Sequence, residues 1–150
     1  SIESSFLPTG LGSGKGVGGG GAQRGSVVGK GVGTNKGGTA LSFYLCHTPL
    51  CFVNSHLAAH QGEVAARNKD IVAIQRSLRS LGRHMPSGRM ELPQRFQHLF
   101  WIGDLNYRID MERSTVLASV EARDWATLYA SDQLQQQQQL QLSFNGFCEG

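Results

Sequence analysis

Phe100-Trp101-Ile102-Gly103-Asp104-Leu105-Asn106-Tyr107-Arg108 sets a carboxylate and a carboxamide at the end of an apolar, aromatic run. His98 to Ile102 has the composition of a buried strand, and Gly103 permits a sharp exit from it. Asp104 and Asn106 are two residues apart, so an extended backbone directs both side chains the same way. At about 3.3 Å per residue they would stand roughly 6.6 Å apart, close enough to share one bound phosphate and its attacking water. Asp and Asn are also ordinary turn formers after a strand. A turn alone has no use for the flanking Trp101, Tyr107 and Arg108, and the combination reads as the edge of an active site.

Upstream of this stretch, Thr39 to Leu45 and Leu50 to Leu57 are β-rich runs. They are separated by Cys46-His47-Thr48-Pro49, a short connection that fits a hairpin. The second run leads into Phe52-Val53-Asn54-Ser55-His56-Leu57-Ala58-Ala59-His60. A helix is expected from about Glu63 to Leu81, with Ile71, Ile74, Leu78 and Leu81 on one face and Gly82 closing it. Arg83 to Gln94, with Pro86 and Pro93, reads as a polar loop, and Glu112 to Ala130 as two short helices. Gly10 to Gly38 is dominated by glycine and lacks the G-x-x-x-x-G-K-[ST] order of a phosphate-binding loop. Ser13 to Lys30 within it reads as a low-complexity insertion, and the glutamine tract Gln135 to Gln139 as an insertion at a loop, without chemistry of its own.

Bulk properties bound the function without choosing it. The chain has 150 residues, 39% of them hydrophobic, a fraction low enough that part of it is expected to lie outside a core. Fourteen Lys and Arg against eleven Asp and Glu give a net charge of +3, which suits an anionic substrate or a membrane surface and is weak for a nucleic-acid groove. Cys46, Cys51 and Cys148 have no C-x-x-C spacing, so neither a disulfide framework nor a zinc site is indicated, and a reducing, cytoplasmic setting is the simpler expectation. No apolar run approaches the roughly 20 residues of a membrane span. A start at Ser1 and not Met suggests a fragment.

Phe100 to Arg108 resembles the signature F-W-x-G-D-x-N-[FY]-R of the inositol polyphosphate 5-phosphatases, within the endonuclease/exonuclease/phosphatase superfamily. Val53 to His60 resembles a second signature, V-N-S-H-L-A-A-H, and Arg67-Asn68 the R-N pair that follows it. Gly33 to Gly38 is similar to G-N-K-G-G, with Thr34 before Asn35 where the family usually has Gly; Asp132-Gln133-Leu134 matches D-Q-L, and Phe144 to Gly150 is similar to F-x-G-F-x-E-G. The combination is closest to the branch that includes the Lowe syndrome phosphatase. The resemblance covers residues 32 to 150 and corresponds to the central part of a longer catalytic domain. The fold it implies is a four-layered α/β sandwich, two mixed β-sheets flanked by helices, incomplete in this chain.

The activity the resemblance implies is magnesium-dependent hydrolysis of the 5-phosphate of phosphatidylinositol 4,5-bisphosphate and related phosphoinositides or inositol phosphates. On that reading Asp104 holds and deprotonates the water, Asn106 donates to the phosphoryl oxygens, and His56 donates to the same phosphate or assists the leaving hydroxyl. Lys36, His60, Arg67 and Asn68 are the expected substrate-side groups, and Tyr107 and Arg108 brace the Asp104 to Asn106 turn. The principal Mg2+ carboxylate is expected upstream of Ser1, so no residue of this chain is named as a metal ligand. The implied partners are phosphoinositide head groups or inositol phosphates at a peripheral membrane surface, with no nucleic acid and no transmembrane segment. Taken alone the 150 residues are expected to be inactive. Asp104→Ala or Asn106→Ala in the complete protein is expected to remove most turnover and leave folding largely intact. The rival readings are a nuclease of the same superfamily and a truncated, non-catalytic interaction fragment.

Overall fold

The structure, a computed structural model, describes residues 36–82 and 89–149 together with the backbone of 2–8. The expected glycine-rich insertion at 13–30, the start of the Gly33 to Gly38 element and the first half of the polar loop lie outside the described residues.

Four strands form one sheet in chain order: β1 (Ile2–Pro8), β2 (Gly37–Leu45), β3 (Thr48–His56) and β4 (His98–Asp104). β1 to β2 and β2 to β3 are antiparallel, while β3 to β4 is parallel. A parallel pair needs a crossover, and α1 (Val64–Ser77) supplies it, followed by a 3-10 turn at Leu78–Ser80. The hairpin is tighter than the expected four-residue connection, because Thr48 pairs with Leu45 and Pro49 with Tyr44. Cys46, at φ 56, takes the left-handed conformation that so short a turn demands.

Alternation along the strands divides the sheet into two unlike faces. Ala40 and Ser42 from β2 and Cys51, Val53 and Ser55 from β3 are buried on the face that packs against Ile71, Ile74 and Leu78. The approach of α1 is close: a Cβ on Gly38 would meet the Ile74 side chain at 2.8 Å. On the other face Phe43, Phe52 and Phe100 stack across three strands at centroid separations of 6.0 and 4.9 Å. Phe100 and Ile102 remain 47% and 54% exposed there, so this face is apolar without a covering layer among the described residues. Of the two sheets expected, the described residues form one.

Arg95 ends the helical segment. It is the last residue of the short α2 (Leu92–Arg95), is 5% exposed, and donates to the carbonyls of Leu81 (2.6 Å), Arg79 (2.9 Å) and Met90 (2.7 Å). Helix ends leave carbonyls without intrahelical partners, and a buried guanidinium fork satisfies several at once. After β4 come α3 (Arg113–Glu121), α4 (Trp125–Ala130) and α5 (Gln133–Gln139).

The last of these corrects the reading of the glutamine tract as a loop insertion. Asp132 caps α5, its Oδ1 accepting from Leu134 N at 2.7 Å and Gln135 N at 3.3 Å. Glutamine is a good helix former, and the side-chain Oε1 of Gln137 accepts from Asn68 Nδ2 at 2.8 Å, tying α5 to α1.

Candidate active site at the strand ends

Register brings three ionisable groups to one edge of the sheet. Gly37 of β2 pairs with His56 of β3, and His56 pairs with Asp104 of β4, so the start of one strand and the ends of two others form a row. Lys36 immediately precedes that row. Its Nζ lies 2.5 Å from His56 Nε2, and the same ring nitrogen lies 3.5 Å from Asp104 Oδ2. One nitrogen cannot accept from an ammonium and donate to a carboxylate at the same time, so the imidazole proton decides which neighbour it serves. The side chains of His56 and Asp104 are 40% and 62% exposed, open to a ligand from solvent.

Gly103 makes the exit possible. Its φ is +117, and a Cβ there would fall 2.1 Å from the Ser55 carbonyl oxygen and 2.5 Å from Asn54 Oδ1. No other residue type fits so near a neighbouring strand. Beyond it Asp104 divides its work: Oδ2 faces His56, while Oδ1 accepts from Asn106 N at 3.1 Å and closes the turn.

Asn106 departs from the extended geometry expected of it. β4 ends at Asp104, and Asn106 sits at φ 58, in the left-handed region that asparagine tolerates better than most residues. Its side chain is buried, with Nδ2 donating to Leu57 O at 3.1 Å and Oδ1 accepting from Arg108 NH2 at 2.7 Å. The Asp104 and Asn106 side chains therefore do not run out in parallel; the carboxamide ties the β4 exit to the β3 exit. Arg108 braces this turn, as read from the sequence.

Arg67 and Asn68 also stand apart from the expected substrate contacts. Arg67 is 0% exposed, and its guanidinium donates to His60 O (2.7 Å), Ala58 O (3.1 Å), Gln61 O (3.2 Å) and Gln133 Oε1 (2.7 Å). Burial lowers its pKa from the usual arginine range, with the Tyr107 hydroxyl opposing that shift. Its Cζ lies 5.1 Å from the centroid of the Tyr107 ring. Asn68 accepts from the Tyr107 hydroxyl at 2.6 Å through Oδ1 while its amide donates to Gln137. Arg67, so enclosed by its own fold, orders the site loops and presents nothing to solvent, while Asn68 is half-buried. His60 is exposed at φ 75 on the loop Arg67 holds.

Trp101 completes the underside. Its Nε1 donates to Ser55 Oγ at 2.8 Å, and its ring meets Phe144 and Phe147 edge-on at 5.1 and 5.9 Å. The F-x-G-F element at the C-terminal end is thus packed beneath the strand that carries Asp104. Gln133 had no role assigned from the sequence, although D-Q-L was visible as a motif. It is 3% exposed and bonded to both site loops. An open groove of about 690 Å³, walled by Gln61, Arg108 and Arg113 among others, adjoins these loops without including His56 or Asp104.

Residues 1–150 match the endonuclease/exonuclease/phosphatase family 2. The chain belongs to that family. It is 41% identical over 116 residues to synaptojanin-1 of Rattus norvegicus, across 77% of this chain and 7% of that protein. It is 39% identical over 128 residues to the type II inositol 1,4,5-trisphosphate 5-phosphatase of Mus musculus, across 77% of this chain and 12% of that protein. The synaptojanin and the type II enzyme match at nearly equal identity.

Among solved structures, the inositol polyphosphate 5-phosphatase domain of SpSynaptojanin superposes with a TM-score of 0.67 at 27% identity, covering 99% of this chain and 36% of that one. That domain was solved with inositol (1,4)-bisphosphate and calcium. A Cimex nitrophorin, at 24% identity and a TM-score of 0.55, shares the fold. The fold is the α/β sandwich of the endonuclease/exonuclease/phosphatase type, represented here by one sheet and its helices. The chain spans a small part of the curated relatives it matches.

Proposed function

We propose that the protein carrying this chain hydrolyses the 5-phosphate of phosphatidylinositol 4,5-bisphosphate and related inositol phosphates, with water as the nucleophile and a divalent cation, magnesium, as cofactor. The observation that carries this is the meeting of Lys36, His56 and Asp104 at one sheet edge, residues far apart in the chain and close in space. Similarity to inositol 5-phosphatases, and to a domain that binds inositol (1,4)-bisphosphate and calcium, supports the choice of substrate and of a divalent ion.

Phosphoryl transfer needs an oriented water, an acceptor for its proton and positive charge around the phosphoryl oxygens. On this reading Asp104 Oδ2 takes the proton, since Oδ1 is already held by its own turn. Lys36 and His56 offer donors to the phosphoryl oxygens from the adjacent strands. Asn106 holds one of its two amide hydrogens on Leu57 O; the second is the one assigned to the phosphate.

Among the described residues no three His, Cys, Asp or Glu side chains converge as a metal site. The described residues do not build an ion site by themselves, and on this reading the ion's main carboxylate comes from elsewhere in the full-length protein. No helix among the described residues is long and apolar enough to cross a membrane, and contact with lipid head groups is assigned to a peripheral surface.

The test is phosphate release from phosphatidylinositol 4,5-bisphosphate vesicles by the full-length protein, with Mg2+ and with chelator. Release that requires Mg2+ and falls by about 10² or more in Asp104→Asn is expected, with the 150 residues alone inactive. Undiminished release by Asp104→Asn, or DNA cleavage in place of phosphate release, overturns the assignment.

A further inference from the structure

Two loops carry the site residues, and they do not touch through the catalytic side chains alone. Ala58 to Gln61 follows His56, and Leu105 to Arg108 follows Asp104. Between them lie two almost fully buried side chains, Arg67 from α1 and Gln133 from α5, 0% and 3% exposed. Gln133 Oε1 accepts from Arg67 NH2 at 2.7 Å and from Arg108 N at 3.0 Å. Gln133 Nε2 donates to Gln61 O at 3.0 Å, the same carbonyl that accepts from Arg67 NH2 at 3.2 Å. The Gln133 backbone N–H donates to Arg108 O at 3.0 Å, and Ile109 bridges Asp132.

The connections form a ring. From His56 the chain passes to the carbonyls of Ala58, His60 and Gln61, through Arg67 to Gln133, on to the Arg108 amide, through the Arg108 bond to Asn106, and so to Asp104 beside His56. A neutral amide suits the centre of this ring: one oxygen accepts twice and one nitrogen donates, a pattern no other uncharged side chain of that length offers.

We propose that Gln133 and Arg67 are a positioning pair, which sets the separation of His56 and Asp104 by locking the loop after β3 to the loop after β4. The proposal deepens the phosphatase reading and rests on it for its kinetic readout. Neither residue touches substrate. A displacement on the order of 1 Å at a reacting group costs roughly a hundredfold in rate, so the pair is expected to act on kcat more than on KM.

The experiment uses the full-length protein with Gln133→Asn, Gln133→Glu and Arg67→Lys. Gln133→Asn keeps the chemistry but shortens the reach by one methylene. It is expected to lower kcat roughly thirtyfold or more with KM within about twofold, and to speed hydrogen exchange at the Arg108 amide by about tenfold or more. Gln133→Glu keeps the doubly accepting oxygen but loses the Nε2 donor to Gln61 O and sets a carboxylate oxygen against that carbonyl, so it is expected to keep Arg108 protected and yet to lower kcat by about tenfold or more. Arg67→Lys cannot span the fork's four acceptors and is expected to behave like Gln133→Asn. Unchanged Arg108 exchange in folded Gln133→Asn overturns the proposal. So does a loss of activity that merely follows the folded fraction in all three variants. If wild-type protein releases no phosphate, the functional reading fails by itself, and Arg108 exchange still decides whether the pair locks the loops.

Discussion

His56 and Asp104 are register partners in the parallel β3–β4 ladder, with Nε2 of one 3.5 Å from Oδ2 of the other. A parallel ladder fixes the relative height of the two strand ends, with Leu57 N donating to Asp104 O at 3.0 Å just beyond it, and leaves the placing of the two side chains to the loops that follow. The two groups are then expected to act as a unit on one phosphate. Asp104→Asn should lower kcat by about 10² to 10⁴ and His56→Gln by about 10². The double variant should fall well short of the product of the two. A full multiplicative loss in the double variant would show that the residues act separately.

Asn106 separates from Asp104 in what its loss should do. Asp104 is largely exposed at the edge, and its substitution is expected to spare the fold. Asn106 is buried, bonded to Leu57 and Arg108, and left-handed at φ 58. Asn106→Ala removes these bonds and leaves a residue that tolerates this backbone poorly, at a cost of about 2 kcal/mol. Urea unfolding of the two variants in parallel measures the difference. Equal midpoints would return Asn106 to a purely catalytic part.

The glutamine tract offers a test within one helix. Gln137 accepts from the half-buried Asn68 amide, while Gln139 is exposed. Gln137→Ala is expected to destabilise by about 1 kcal/mol because it strands a donor. Gln139→Ala should be neutral or slightly stabilising, since alanine has the higher helix propensity. Thermal midpoints of the two variants decide it, and equal shifts would mean the tract packs without specific partners.

Much of this was legible before any coordinates, for physical reasons that also mark the limits. Ile71, Ile74 and Leu78 recur at helical spacing because one face of α1 lies on the sheet, and Gly103 stands where two strands crowd. His56 and Asp104 stand out in the sequence because each sits in a run of residue types that a plain turn does not need, and the register brings the two together. Arg67 misled for the opposite reason. A basic residue near a helix start looks solvent-facing, whereas Arg67 is enclosed by the carbonyls of the loop just before it and by Gln133, distant in the chain. Asn106 misled because spacing was converted to distance along an extended chain, and the chain turns left-handed there. The glutamine run concealed a helix because low complexity says nothing of the Asp132 cap before it.

Cys51 provides a pH test of the core. It is fully buried between β2 and β4, and burial pushes its thiol from the usual 9.0 up to about 12, with the nearby Arg95 pulling the other way. In the unfolded chain the thiol ionises at its ordinary pKa, so the unfolded state loses this proton first as pH rises. The protonated Cys51 thus contributes stability that is complete below about pH 9 and is lost progressively toward pH 12. Replacing it with alanine removes that dependence. The stability difference between wild type and Cys51→Ala should therefore shrink above about pH 9, at up to about 1.4 kcal/mol per pH unit. Cys46 and Cys148 are exposed, so at about pH 8 an alkylating reagent should reach two thiols in the native protein and three after denaturation. Rapid native labelling of Cys51 would mean that this part of the sheet opens far more readily than its packing implies.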